Sequence, residues 1–198
     1  GKNTDAVVLD LAGTKAEILK AVAKVMPGGN YISGHPMAGN EKTGLAGAEK
    51  GKFKKAAFVL IPHRGTRKVW LERITQLIRK LGARPIIMKA EEHDRLIALT
   101  SHLPYALALG LMNLAGKKGM RNKHFDDLVG GSFRGATRVV QSPTDLTLDM
   151  FLTNKSNVTS AIDGLIDELK TLKKYVRTGN DRELRKIINK SKVNRSKL

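Results

Sequence analysis

The chain has 198 residues, 41% of them hydrophobic, enough for one or two domains with a proper core. Lys and Arg number 36 against 18 Asp and Glu, giving a net charge of +18, and there is no cysteine. Disulfides, zinc ribbons and thiolate chemistry are therefore excluded, and the composition suits a reducing cytoplasm. No apolar run approaches the roughly 20 residues of a membrane helix, and "GKNTDAVVLD" lacks the basic-then-apolar layout of a secretory leader.

The first half alternates short apolar runs with amphipathic segments. "DAVVLD" reads as a buried strand, because its apolar residues are bounded by Asp5 and Asp10. "GTKAEILKAVAKVMPGG" follows as a helix, with Ile18, Leu19, Val22, Val25 and Met26 on one face and Pro27-Gly28-Gly29 as its stop. "YISG" is a second strand and "AAFVLIP" a third, ended by Pro62. "TRKVWLERITQLIRKLG" is a periodic helix presenting Val69, Ile74, Leu77, Ile78 and Leu81, and "ARPIIMK" is a fourth strand. Such alternation predicts an α/β unit with a mainly parallel sheet.

The texture changes at residue 90. "AEEHDRLIALTSHLPYALALGLMNLAG" is helical in composition, with Pro104 inviting a kink. Beyond the Gly-rich "GGSFRGATRVV", the segments "DLTLDMFLTNKSNVTSAIDGLIDELKTLKKYV" and "DRELRKIINK" are also helical, and no strand is expected. The fold expected is α/β followed by all-α, with domains over 1–89 and 90–198. No G-x-G-x-x-G occurs, and "GAEKGKF" lacks the Ser or Thr of a P-loop. If the α/β part is a dinucleotide-binding domain, the chain holds only its second half.

The basic residues are scattered, as in "KGKFKK" and "GKKGMRNK", and densest in "RKIINKSKVNRSKL". None of the 5 Phe, 3 Tyr and 1 Trp interleaves with them as a base-stacking platform would. A solvated surface that attracts small anions is expected rather than specific nucleic-acid recognition.

Four places carry candidate chemistry. His35 lies just past a predicted strand, where open α/β sheets place their ligand crevice, and Gly34 and Gly39 let the backbone turn and a ligand come close. A neutral imidazole there can accept a proton from a substrate hydroxyl; the alternative is a turn histidine. "EEHD" resembles a metal cluster, but His102 is nine residues from His93, not four. Helix-start acids explain Glu91 and Glu92, and no metal is expected. Ser101 and His102 interrupt an apolar run and must either find partners or face a cavity. Arg134 and Arg138, four apart, share one side of any helix beginning after Gly131, as a carboxylate fork or as solvent-facing charge.

Taken in order, "LDLAGTKAEI", "ISGHPMAGNEKTG", "FVLIP", "GARPIIMKAEEHDRLIALTSHLPYALA", "GGSFRGATR" and "FLTNKSNV" resemble the prephenate and arogenate dehydrogenase family of tyrosine biosynthesis. The resemblance implies NAD(P)-dependent oxidative decarboxylation by a Rossmann domain followed by a helical dimerisation domain, with the substrate in the cleft between them. It implies a homodimer in the cytoplasm, with no membrane or specific nucleic-acid partner. The catalytic histidine falls on His35, with Thr14 as a nearby hydroxyl, and the carboxylate-binding arginine on Arg138. Further substrate contacts fall on His102, Tyr105 and Arg134, and cofactor contacts on Asp10, Gly13, Lys15, Pro36 and Gly39. The chain departs from the family at Gly13, usually serine, at Tyr105, often histidine, and in "SPTDLT", which lacks a tryptophan. Prephenate and arogenate both remain open as substrates, as do NAD and NADP. The departures also leave room for a non-catalytic dimerisation or regulatory module on the same scaffold.

Overall fold

A computed structural model describes residues 6–39 and 44–198. Four strands, β1 (Val8–Asp10), β2 (Tyr31–Pro36), β3 (Ala57–Pro62) and β4 (Arg84–Ile87), form one sheet in the order of the chain. Helix α1 (Ala16–Val25) links β1 to β2 and α2 (Lys68–Lys80) links β3 to β4; both of those pairs are parallel. The β2–β3 pair is antiparallel. A parallel pair needs a long crossover, usually a helix, and the described part of the β2–β3 connection holds only a short 3₁₀ turn at Gly44–Gly47. Two of the three strand pairs are parallel, as alternation predicts, and the sheet reverses at β2–β3, whose described residues hold no α-helix.

Side chains alternate across the strands and define two packed faces. Ile32, Phe58 and Leu60 meet Ile74 and Ile78 of α2 on one face. Val59 and Ile61 on the other meet Ala90 and the α1 residues Ala16 and Leu19. Tyr31, Ser33 and His35 alternate onto this second face. Not every apolar residue expected on a helix face is covered, since Val25 is 76% exposed and Val69, Leu77 and Leu81 are each more than a third exposed.

Beyond the sheet come α3 (Ala90–Ile97), a π turn (Ala98–His102), α4 (Leu103–Lys118), α5 (Gly131–Thr137), a 3₁₀ turn (Arg138–Gln141) and α6 (Thr144–Thr153). Helices α7 (Lys155–Arg177) and α8 (Asp181–Arg195) complete the chain. Just before Pro104 the helix widens into the π turn. Proline cannot donate to the carbonyl four residues back and its ring crowds that carbonyl. The Leu103 N–H accordingly reaches Ala98 O, five residues back, and the helix passes proline without breaking.

Ala90–Lys118 runs helical for 29 residues and is, by length and composition, apolar enough to cross a membrane, contrary to expectation. It nevertheless carries His93, Asp94 and His102, each buried.

Compactness divides the chain into Gly1–Val158 and Thr159–Leu198. The change of texture near Lys89 falls inside the first unit, where α3 is hydrogen-bonded to β2 and to the start of α1. The second unit holds most of α7, and α8. Gly179 takes the left-handed conformation at φ +60° between them, and Asn180 caps α8 by accepting the Glu183 N–H at 3.1 Å.

Candidate active site

The C-terminal ends of the parallel strands β1 and β2 carry Asp10 and His35, and the site grows from these two positions. Asp10 accepts from the Ala12 N–H at 2.9 Å, from Lys15 Nζ at 2.9 Å and from the Tyr31 hydroxyl at 2.7 Å. Burial works to raise its pKa, but these bonds and the nearby Ser33 hydroxyl outweigh it and hold the carboxyl below its ordinary value. The Lys15 side chain is fully buried, and its ammonium also donates to Gly34 O. Desolvation lowers its pKa against the opposing pull of Asp10 and Asp94. Lys15 therefore ties β1 to β2.

Gly34 is needed for a reason other than turning. It lies inside β2, which continues through Pro36, and a Cβ there would come within 2.9 Å of Asp10 O and 3.0 Å of Leu9 and Phe58. His35 is therefore a strand residue opposite Val59, not the first residue of a turn.

A chain of three polar side chains runs inward from His35. Its Nδ1 lies 2.9 Å from His93 Nε2, and His93 Nδ1 lies 2.7 Å from Asp94 Oδ1. His93 and Asp94 are each 1% exposed. Asp94 also accepts the backbone N–H of Lys15 at 3.0 Å and of Ala16 at 2.8 Å, closing the open N-terminus of α1 from a distant helix. Burial pushes its pKa up, and the His93 bond and these amides pull it below normal. Burial pushes His35 the other way, and with the nearby His93, Lys15 and His102 it lowers the imidazole to about 4, with Asp94 opposing. His35 is thus neutral and able to accept a proton at neutral pH.

His102, 1% exposed, finds a partner: Asn154 Nδ2 lies 3.3 Å from its Nδ1 and donates to Asp94 O at 2.7 Å. Burial lowers the His102 pKa, with Asp94 opposing. One turn on, the Tyr105 hydroxyl lies 2.9 Å from Ser142 Oγ, fastening α4 to the segment just past Arg138. Arg138 begins the 3₁₀ turn, because α5 stops at Thr137; the two arginines do not share one continuous α-helix, and both are exposed.

Thr14 is buried, and its Oγ1 lies 2.8 Å from Thr153 Oγ1. Thr153 gives its own proton to Asp149 O at 2.6 Å, so Thr14 is the donor between the two hydroxyls. That directs its only proton toward α6 and leaves Thr14 as an acceptor for anything else. Pro36 and Gly39 follow His35, while Asn40, Glu41, Lys42 and Thr43 of the same motif lie outside the described residues.

His93, Asp94 and Asn154 were not singled out from sequence as site residues. The signal was present: Ala90, His93, Asp94 and Ile97 form one buried helical face, and two of the four are ionisable.

Two family models match consecutive stretches of the chain. "Prephenate dehydrogenase, nucleotide-binding domain" covers residues 2–87, and "Prephenate dehydrogenase, dimerization domain" covers residues 89–190. The chain belongs to the prephenate dehydrogenase family. Among its relatives, the prephenate dehydrogenase of Bacillus subtilis is 28% identical over 177 residues, 89% of this chain and 48% of that protein. The cyclohexadienyl dehydrogenase of Zymomonas mobilis is 30% identical over 172 residues, 85% of this chain and 58% of that protein. The chain thus spans about half the length of the curated relatives it matches. The crystal structure of prephenate dehydrogenase from A. aeolicus, in complex with hydroxyphenyl propionate and NAD+, superposes with a TM-score of 0.90 at 27% identity. That match covers 98% of this chain and 68% of the other.

The strand ends fit part of a dinucleotide of the kind this family uses. Residues 11–13 and 37–39 flank His35, and among the described residues nothing lies within 4 Å of a Cβ built on Gly13 or Gly39, so a flat ring can approach the backbone there. The glycine turn that cradles a pyrophosphate is absent from this sequence.

Proposed function

We propose that the chain is the catalytic part of an NAD(P)-dependent dehydrogenase that oxidatively decarboxylates prephenate or arogenate in the cytoplasm. A single observation carries this reading: a neutral, largely buried imidazole, His35, stands at a strand end between two open backbone segments, within the "GHPMAG" of the family. Asp10, Gly13, Pro36 and Gly39, with Lys15 behind them, hold the nicotinamide end of the cofactor, which supplies the hydride acceptor. His35 takes the hydroxyl proton as the ring carbon is oxidised. The carboxylate's bonding pair enters the ring when CO2 departs, and the proton returns to the oxygen of the aromatic product. Arg138, with Arg134 nearby in sequence, holds a substrate carboxylate, and His102 and Tyr105 are further substrate contacts, Tyr105 also fastening α4 to Ser142. Thr14 contributes to the site as an acceptor.

We assign the nucleotide half to 1–89 and the helical half to 90–198, a division supported by the change of texture and by the reach of the two family models. The helical half forms a homodimer, an assembly that suits its family description and the exposed Leu96, Leu99, Leu107 and Leu114. A soluble life away from membranes follows, since a partner copy then covers this apolar surface.

Steady-state kinetics of the complete protein test the reading. His35→Asn lowers kcat on prephenate or arogenate by about 100-fold or more while nucleotide affinity holds. Arg138→Ala raises KM instead. Wild-type kinetics on both substrates in both variants would overturn the site.

A further inference from the structure

We propose that His93 and Asp94 are a positioning pair that fixes the tautomer of His35, placing its proton on Nδ1 and leaving Nε2 as the base. The proposal deepens the reading of His35 as proton acceptor and rests on it. Neither residue of the pair need touch substrate; both act through His35.

The assignment follows from counting protons along the chain. Asp94 is an acceptor only, so the His93 nitrogen 2.7 Å away, Nδ1, carries a proton. A neutral His93 then presents a bare Nε2 to His35. The 2.9 Å contact between His93 Nε2 and His35 Nδ1 needs one proton, and only His35 can supply it. His35 is thereby protonated on Nδ1, and its Nε2 keeps a lone pair.

We take His93 as the neutral ring of the pair on geometric grounds. The ring is 1% exposed, and the same cluster already holds the Lys15 ammonium. Asp94 does not require a cation, since the amides of Lys15 and Ala16 and the N-terminal end of α1 already balance its charge. When His35 accepts a proton, the resulting imidazolium donates through Nδ1 to His93, with the carboxylate behind. The product of proton transfer is stabilised in a place where burial alone would oppose it.

Asp94 has a second grip that makes the test sharp. Its Oδ2 accepts the Ala16 N–H at 2.8 Å and the Lys15 N–H at 3.2 Å, whereas Oδ1 faces His93 and shares the Lys15 amide at 3.0 Å. In Asp94→Asn the remaining oxygen stays with the Ala16 amide, and the new NH₂ points at His93. His93 must then become an acceptor at Nδ1 and a donor at Nε2, and His35 is forced to carry its proton on Nε2. The base becomes a donor.

Long-range ¹H–¹⁵N correlation of the ring nitrogens, in this chain labelled at histidine and held near neutral pH, reads the tautomers without substrate or cofactor. Both rings are expected as the Nδ1–H form in the native chain and as the Nε2–H form in Asp94→Asn. His93→Phe, which keeps a ring but no polar atom, releases His35 to sample both forms and serves if the asparagine variant fails to fold. A native His35 protonated on Nε2, a doubly protonated His93, or a His35 tautomer unchanged in a folded variant would each overturn the proposal.

In the complete protein, Asp94→Asn is expected to lower kcat by about 100-fold or more with KM for substrate little altered. A rate loss with unmoved tautomers sinks the pair and leaves His35 as base. Inverted tautomers with undiminished kcat confirm the pair and sink His35 as base.

Discussion

At the scale of single residues, the site depends on how closely β1 and β2 approach. Gly34 permits that approach, because a Cβ would press on Asp10 O at 2.9 Å and on Leu9 and Phe58 at 3.0 Å. The backbone and an aromatic ring cannot both move aside. Gly34→Ala is therefore expected to cost about 1–3 kcal/mol of stability, read by urea unfolding, through overpacking. An unchanged unfolding midpoint would show that the strands have room to part. Of the chemistry, sequence exposes what sits in a motif with its own punctuation: His35 is flanked by Gly34 and Pro36 and draws notice. His93 and Asp94 do not, because a helix-start explanation suffices for the acids of "EEHD" until burial is known. The direction of a hydroxyl is equally hidden; Thr14 points to Thr153, 139 residues away.

At the scale of elements, the strands and helices follow from apolar period and from glycine and proline stops. The antiparallel reversal and the π turn do not. The first depends on what fills a loop. The second depends on how a helix accommodates Pro104 with its neighbours already packed. Asn154, at the end of α6, is the pin that holds this region. It donates to Asp94 O at 2.7 Å, lies 3.3 Å from His102, and is itself held by Asn157 donating at 2.8 Å. Asn154→Ala removes those partners from buried groups and is expected to cost about 1–3 kcal/mol. Hydrogen exchange should show faster opening of the π turn and the start of α4. Exchange rates equal to the native chain's would assign the pin elsewhere.

At the scale of the whole molecule, acid is the informative perturbation. His35 is lowered to about 4 from an ordinary 6.5, chiefly by burial, with the nearby His93, Lys15 and His102, and burial lowers His102 too. The unfolded chain therefore binds more protons than the folded one as pH falls through the range from 6.5 to 4. Stability is full above that range and falls across it. Asp10 and Asp94, held below 3.8, add a further loss only at lower pH. Urea midpoints measured at several pH values should thus decline well before the carboxylates titrate. A midpoint constant from pH 7 to pH 4.5 would mean that the two histidines stay accessible to protons in the folded state.

The order of synthesis gives the His35–His93 contact a further meaning. The ribosome makes His35 58 residues before the ring that orients it. The α1 N-terminus likewise waits for the carboxylate of Asp94, made nearly 80 residues later. The strands can pair early, but His35 lacks its His93 contact until the first helix beyond the sheet has docked. The setting of His35 is thus completed only when α3 docks, with α4 to α8 still to follow. A stalled or shortened chain ending before that helix would lack both the His93 partner of His35 and the Asp94 cap of α1.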